Sequence, residues 1–225
     1  MIDSVDAFPD EAALAKFSST GVPRHFRGNT VLSMIDPGGE LGSLLWCVRR
    51  QFEAATNGAL VYLPASSWHM TVIGLVIGNI RSTWPRALSD DAVLADADSL
   101  ARQAVESVHS PIACGVRAVG ITVGDDLRVQ LVPADHRSYR ALWSYRDAVS
   151  ATAGIRAPNH DAYSFHVTLA YRVKEPTPKE KKRWTNLCAQ GVDTSRSFVL
   201  EAPSFRYHED MTKFTLEPVM EGRGA

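Results

Sequence analysis

The sequence predicts an α+β fold of two lobes, related by a pseudo-two-fold internal duplication and facing each other across a cleft. Two observations carry the prediction. The order helix, strand, helix, strand, strand occurs twice along the 225 residues. The pentapeptide Ser, aromatic, His, apolar, Thr falls on the equivalent strand of each half, as Ser67-Trp68-His69-Met70-Thr71 and Ser164-Phe165-His166-Val167-Thr168. We divide the chain into an arm (1–28), a first lobe (29–134), a second lobe (135–219) and a tail (220–225). Each lobe is expected to be an antiparallel or mixed sheet with helices.

Each element has a local reason. Residues 1–28 are polar and broken by Pro9, Pro23 and Gly28, which reads as an arm with a short helix over Asp10–Phe17. Asn29–Ile35 is rich in β-branched residues and ends at Asp36-Pro37-Gly38-Gly39, a strand and its turn. Leu41, Leu44, Leu45, Val48 and Phe52 follow helical spacing, with Gly58 as the stop. Ala59–Leu63 and Trp68–Ile73 read as strands. Residues 76–93 lack periodicity and read as a long surface loop, a common site for lids.

Leu94, Ala97, Ala101, Ala104, Val105 and Val108 mark the next helix. Ile112–Thr122 and Leu127–Val132 flank Gly124-Asp125-Asp126 as a hairpin. The second round begins with a helix over Ser138–Ala153, placing Tyr139, Leu142, Tyr145 and Val149 inward. A strand over Tyr163–Tyr171 follows. Thr177-Pro178-Lys179-Glu180 is a capping box with proline at the first helical position, and Trp184, Leu187 and Cys188 continue that helix. Phe198–Tyr207 and Thr212–Val219 read as a second hairpin, turning at His208–Met211.

Composition excludes several classes. Hydrophobic residues make up 45% and charged residues 22%, as in an ordinary globular protein. A net charge of −1 argues against holding long nucleic acid by bulk electrostatics. The longest apolar stretch, Met70–Ile80, is too short for a membrane span, which needs about 20 residues. The first residues lack the basic and apolar regions of a signal peptide. Cys47, Cys114 and Cys188 are widely spaced and odd in number, which suits a reducing cytoplasm and three small buried hydrophobes. The expectation is a cytoplasmic monomer with no membrane contact.

Strand geometry turns the pentapeptide into chemistry. Alternate side chains face opposite ways. Trp68, Met70 and Val72 form one apolar row, and Phe165, Val167, Leu169 and Tyr171 form the other. Ser67, His69 and Thr71 then share a polar face, as do Ser164, His166, Thr168 and Arg172. Histidine titrates near pH 6.5, so one imidazole can act as base while its partner acts as acid. Breaking a phosphodiester needs that pair. Thr71 and Thr168 can hydrogen-bond the non-bridging oxygens, and Arg172 can stabilise developing negative charge. Symmetry leaves open which histidine is acid and which is base. A bell-shaped pH profile is expected.

The paired motifs resemble the two-histidine phosphoesterase superfamily, which includes 2′-5′ RNA ligase-like proteins and cyclic phosphodiesterases. The resemblance spans roughly residues 29–219. Gly28-Asn29-Thr30-Val31, Ser66–Val72, Trp84-Pro85 and Tyr163–Tyr171 are similar to a bacterial and fungal branch named only as a domain of unknown function. The resemblance implies metal-independent hydrolysis or transesterification of 2′,3′-cyclic or related phosphodiesters at nucleotide or RNA ends. The matching positions are His69, Thr71, His166 and Thr168. RNA-processing relatives often carry a basic residue soon after the second motif, and Arg172 is the residue here that could fill that role.

Other features read as structure. Ser67 and Ser164 are divided between phosphate contact and strand-end hydrogen bonding. Lys179–Arg183 reads as a solvated helix face. Trp84 reads as a plug that packs its loop down, with base stacking the alternative. His25, His109, His136, His160 and His208 stand alone, the last in a hairpin turn. No metal-ligand spacing and no dinucleotide or P-loop motif occurs, so no cofactor is expected. Two rivals remain: a non-catalytic module that grips a nucleotide or RNA-end phosphate, and a metal-dependent hydrolase.

Overall fold

The computed structural model describes residues 15–78 and 80–218. The expected helix over Asp10–Phe17 therefore lies mostly outside the described residues; Ala15 and Lys16 are helical and Phe17 is not. The tail at 220–225 also lies outside.

The strands are β1 (Gly28–Met34), β2 (Leu60–Tyr62), β3 (His69–Ile77), β4 (Ala113–Val123), β5 (Asp126–Pro133), β6 (His166–Arg172), β7 (Ser197–Glu201) and β8 (Ser204–His208). The helices are α1 (Glu40–Ala55), α2 (Leu94–Ser107), α3 (His136–Ala153) and α4 (Pro178–Gln190). The fold is α+β, as predicted. The expected capping box at α4 is present, with the Thr177 hydroxyl accepting from the Glu180 amide. Asp135 caps α3 and Gly154 ends it in the left-handed region at φ 65.

Two separate sheets were expected, but the strands join into one. Its order is β7-β4-β5-β6-β3-β1-β8, with β2 also paired to β6, and every pairing is antiparallel. The expected hairpin over 198–219 does not form. Its first arm is two strands bound for opposite edges: β7 joins β4, and β8 joins β1. Among the described residues, its second arm contributes a single bridge, Thr215 to Tyr207.

The apolar rows predicted for the motif strands are the core. Trp68, Met70, Val72, Val167 and Leu169 are fully covered, and all belong to one cluster that includes residues from all four helices. Each such side chain contributes about 1.5–3 kcal/mol by leaving water. Tyr139 departs from expectation: it is half exposed, while Leu142, Tyr145 and Val149 of the same helix are buried. Cys47 is exposed, not buried.

The long loop is built, not open. Trp84 is buried and its indole N–H donates to the Gly78 carbonyl at 2.8 Å. The Arg81 guanidinium lies 4.0 Å from its ring centroid and donates to the carbonyls of Asp90 and Ala92. Trp84 is thus the plug of this segment.

Candidate active site

Both motif histidines are the first residue of their strand, and each strand follows a short 3-10 turn, Ala65–Ser67 or His160–Ala162. In each, Nδ1 lies against the carbonyl oxygen two residues back: Ser67 at 2.7 Å and Ser164 at 2.8 Å. A carbonyl only accepts, so Nδ1 carries the proton and Nε2 holds the lone pair in the neutral ring. The two histidines are therefore presented in the same tautomer by the same local device.

The junction of β3 and β6 brings them together. Met70 is opposite Val167 in an antiparallel pair. That register sets His69 beside Thr168 and Thr71 beside His166, all pointing away from the core that takes Met70 and Val167. Tyr163, just ahead of the second motif, joins this face beside the second imidazole. Its ring lies 6.1 Å from that of His166.

The surroundings of the two imidazoles differ. The Phe214 ring is 4.3 Å from His69 and 5.3 Å from His208. Burial lowers the His69 pKa to about 4, and the nearby His208, His166 and Lys16 push the same way. Burial also lowers the pKa of His166; Arg128 adds to the shift, while the Asp126 carboxylate and the Ser164 carbonyl oppose it. His208 is not in a turn. It ends β8, is buried, and its Nδ1 lies 2.8 Å from the Phe26 carbonyl oxygen. Burial lowers its pKa to about 4. Gly28 opposite it has no room for a side chain: a Cβ would meet Val76 O at 2.5 Å and His208 Nε2 at 3.0 Å.

Arg172 does not continue the polar row. Opposite β5, Arg128 pairs with Thr168 but Asp126 pairs with Tyr171, so β6 spends one extra residue. Such a bulge moves every following side chain to the other face. Tyr171 therefore joins the side of His166 and Thr168. Arg172 turns away, buried, to Asp125 at 2.6 Å and Glu175 at 2.9 Å. Ser67 is also off the face, fully covered, its hydroxyl donating to Pro64 O. Ser164 is exposed and donates to Gln130 Oε1 at 2.9 Å.

Several residues of this face were not singled out from sequence. Asp126, Arg128 and Gln130 stand opposite Tyr171, Thr168 and His166, and Arg128 is ion-paired with Asp126. Their signal was legible: Asp126–Leu131 alternates polar and apolar, and Leu127, Val129 and Leu131 are covered. Ser204, Arg206 and His208 alternate the same way on β8 against buried Phe205 and Tyr207. Lys16 and Phe214 arrive from the chain ends, and no local pattern marks them.

One group of the described residues has the proximity a metal needs. Asp147, His160 and Asp161 place ligand atoms within 4.8 Å of one another. His160 and Asp161 belong to the turn just ahead of the second motif, and Arg156 already forms ion pairs with Asp161 and Asp147. Among the described residues no helix is long and apolar enough to cross a membrane.

Known proteins share parts of this sequence and fold. The family model described as 2H-phosphodiest, a domain of unknown function (DUF1868), matches residues 16–125. A conserved protein of unknown function from Agrobacterium tumefaciens strain C58 is 25% identical, with a TM-score of 0.81 over 93% of this chain and 92% of that one. Over residues 16–125, which hold His69 and Thr71, the chain is thus similar to the 2H phosphoesterases. The protein TT0787 of Thermus thermophilus is 13% identical over 80% of this chain and 87% of its own, at a TM-score of 0.46. That score is too low to argue from. No curated protein sequence matches significantly.

Proposed function

We propose that the chain is a metal-independent phosphodiesterase that opens 2′,3′-cyclic or related phosphodiesters at nucleotide or RNA ends. On this reading β3 and β6 are the inner strands of two pseudo-two-fold lobes, and their polar face is the floor of a cleft. One observation supports it above the rest: the Met70–Val167 pairing interlocks the two His-x-Thr motifs, and each imidazole is held by Nδ1 so that Nε2 is the reactive nitrogen.

The unequal environments support one assignment of the roles that the sequence left open. His69 has imidazoles and a lysine as its charged neighbours and resists protonation, which suits the base. Burial and Arg128 lower the proton affinity of His166 as well, but the Asp126 carboxylate opposes the shift there and no carboxylate does so at His69, so His166 is the better acid of the two. His69 Nε2 takes a proton from water as the water oxygen bonds to phosphorus. The bond from phosphorus to one ribose oxygen breaks, and His166 delivers its proton to that oxygen. The product is a phosphomonoester. Thr71 and Thr168 hydroxyls donate to the non-bridging oxygens. The bound anion raises the proton affinity of both rings, so the acid is charged when substrate is present.

The test is a panel of 2′,3′-cyclic mononucleotides and short oligonucleotides assayed in EDTA, with the H69A/H166A double variant as blank. Turnover that vanishes in the blank is expected. Binding without turnover would leave a phosphate-binding module. Activity lost in EDTA and restored by zinc or manganese would mean a metal-dependent hydrolase.

A further inference from the structure

The N-terminal arm carries a cation into the site. Its path is fixed by short-range bonds. Phe17 bridges to Pro23, the Arg24 amide donates to Lys16 O at 2.9 Å, and the Ser18 hydroxyl accepts from the Val22 amide at 3.0 Å. Phe17 is buried against Leu63, Tyr171 and Val173, its ring 5.4 Å from that of Tyr171. This anchor sets the position of Lys16.

The Lys16 ammonium lies 4.8 Å from the Tyr171 ring centroid, 3.4 Å from the Tyr171 hydroxyl, and 5.3 Å from the Phe26 ring centroid. Those rings belong to opposite sides of the site. Tyr171 is on β6, turned by the bulge onto the face of His166 and Thr168. Phe26 stacks on His208 at 6.0 Å, and the Phe214 ring connects His208 to His69. A cation there is close enough to act on the histidines of both motifs.

We propose that Lys16, delivered by the N-terminal arm, is a cationic phosphate ligand of the site, holding the substrate's anionic oxygens beside Thr71 and Thr168. The proposal rests on the phosphodiester reading above and fills the role the sequence suggested for Arg172. An ammonium carries a full charge and several donors, one of which Lys16 already turns to the Tyr171 hydroxyl, and binds phosphate oxygens as a point charge. The site is otherwise rich in groups that repel protons. Lys16 lowers the proton affinity of His69, His166 and His208 alike, with Arg128 acting in the same sense on His166 and with Asp126 and Asp210 opposing it at His166 and His208. A bound anion relieves that repulsion at all three rings.

The experiment uses the full chain and inorganic phosphate as probe. Histidine ring signals are followed by NMR against pH and against phosphate in wild type, K16M and K16R. Both variants keep an unbranched stem to pack on the two rings. In K16M, phosphate affinity should fall about 10- to 100-fold, the range of one charge-assisted hydrogen bond, and the three histidine midpoints should rise. K16R should recover most of the affinity. Unchanged phosphate affinity in K16M overturns the proposal, as do unmoved histidine midpoints. If wild type turns over no phosphodiester but its phosphate binding depends on Lys16, the phosphodiesterase reading fails and this one stands. Turnover with phosphate affinity indifferent to K16M has the opposite meaning.

Discussion

The two motif strands share a sequence pattern, a tautomer and a backbone anchor, yet their histidines sit in unequal surroundings. His69 lies under Phe214 with His208 and Lys16 as neighbours. His166 stands opposite Gln130, near the Arg128–Asp126 pair. Repetition fixes where the two rings are, because strand register is a backbone property. It does not fix what each ring does. That is set by residues drawn from β5, β8 and both ends of the chain, which the repeat does not duplicate.

The largest expected effect tests that inequality directly. H69A and H166A should each reduce kcat on a 2′,3′-cyclic nucleotide by about 10²–10⁴-fold, the usual worth of a positioned acid or base. A diester with a good leaving group, such as a p-nitrophenyl ester, needs no acid. On it H166A should recover most of its activity while H69A stays low. Equal losses on both substrates would remove the assignment of base to His69 and acid to His166.

Stability against pH sharpens the comparison at the β8 side. His69 and His208 have folded pKa values of about 4, below the ordinary value near 6.5. Between these limits the unfolded chain binds the protons, so stability is complete above about pH 6.5 and is lost as pH falls toward 4. Each ring accounts for a loss on the order of 3 kcal/mol by pH 4. Urea unfolding between pH 7 and 4 should show that slope, and H208Q should flatten it by up to half. An H208Q slope equal to wild type would mean that His208 is protonated as readily folded as unfolded.

Arg172 is expected to matter to folding and not to phosphate. It is buried, with both acid partners about half exposed, Asp125 at 42% and Glu175 at 53%. R172M should cost about 2 kcal/mol, the value of hydrogen bonds to charged groups, because the carboxylates it abandons are still hydrated. Its phosphate affinity should stay within about twofold of wild type, as no direct contact is lost. A tenfold loss of phosphate affinity would return Arg172 to the site.

These contrasts mark what a single sequence carries. The motif rows were legible because strand alternation is local, and Trp68, Met70, Val167 and Leu169 all lie in the core as that alternation requires. The same rule misplaced Arg172 and Tyr171, because a bulge is visible only against the partner strand, and β5 supplies it. Two sheets were expected because duplication suggests two cores. The β3–β6 pairing merges them, and that pairing is between residues far apart in sequence. Arg128 and Gln130 could have been found by extending alternation to the neighbouring hairpin. Lys16 and Phe214 could not, because each reaches the site by a contact with no sequence period.

The smallest effect separates the serines that open the two pentapeptides. Ser67 is fully covered and its hydroxyl donates to Pro64 O at 2.8 Å, closing the 3-10 turn that launches β3. S67A removes that bond from the turn, where the Ser67 amide still donates to Pro64 O at 2.9 Å, and should cost about 1 kcal/mol. It should also loosen the Ser67 carbonyl that holds His69, so that kcat falls more than KM changes. Ser164 is exposed, and water can replace its bond to Gln130 Oε1. S164A should change stability by less than about 0.5 kcal/mol, as surface substitutions do, and kcat by less than about twofold. Thermal unfolding and steady-state kinetics on the two single variants decide it. Similar losses in both would mean that the turns before the two histidines carry equal weight, and that the halves differ only in what surrounds the rings.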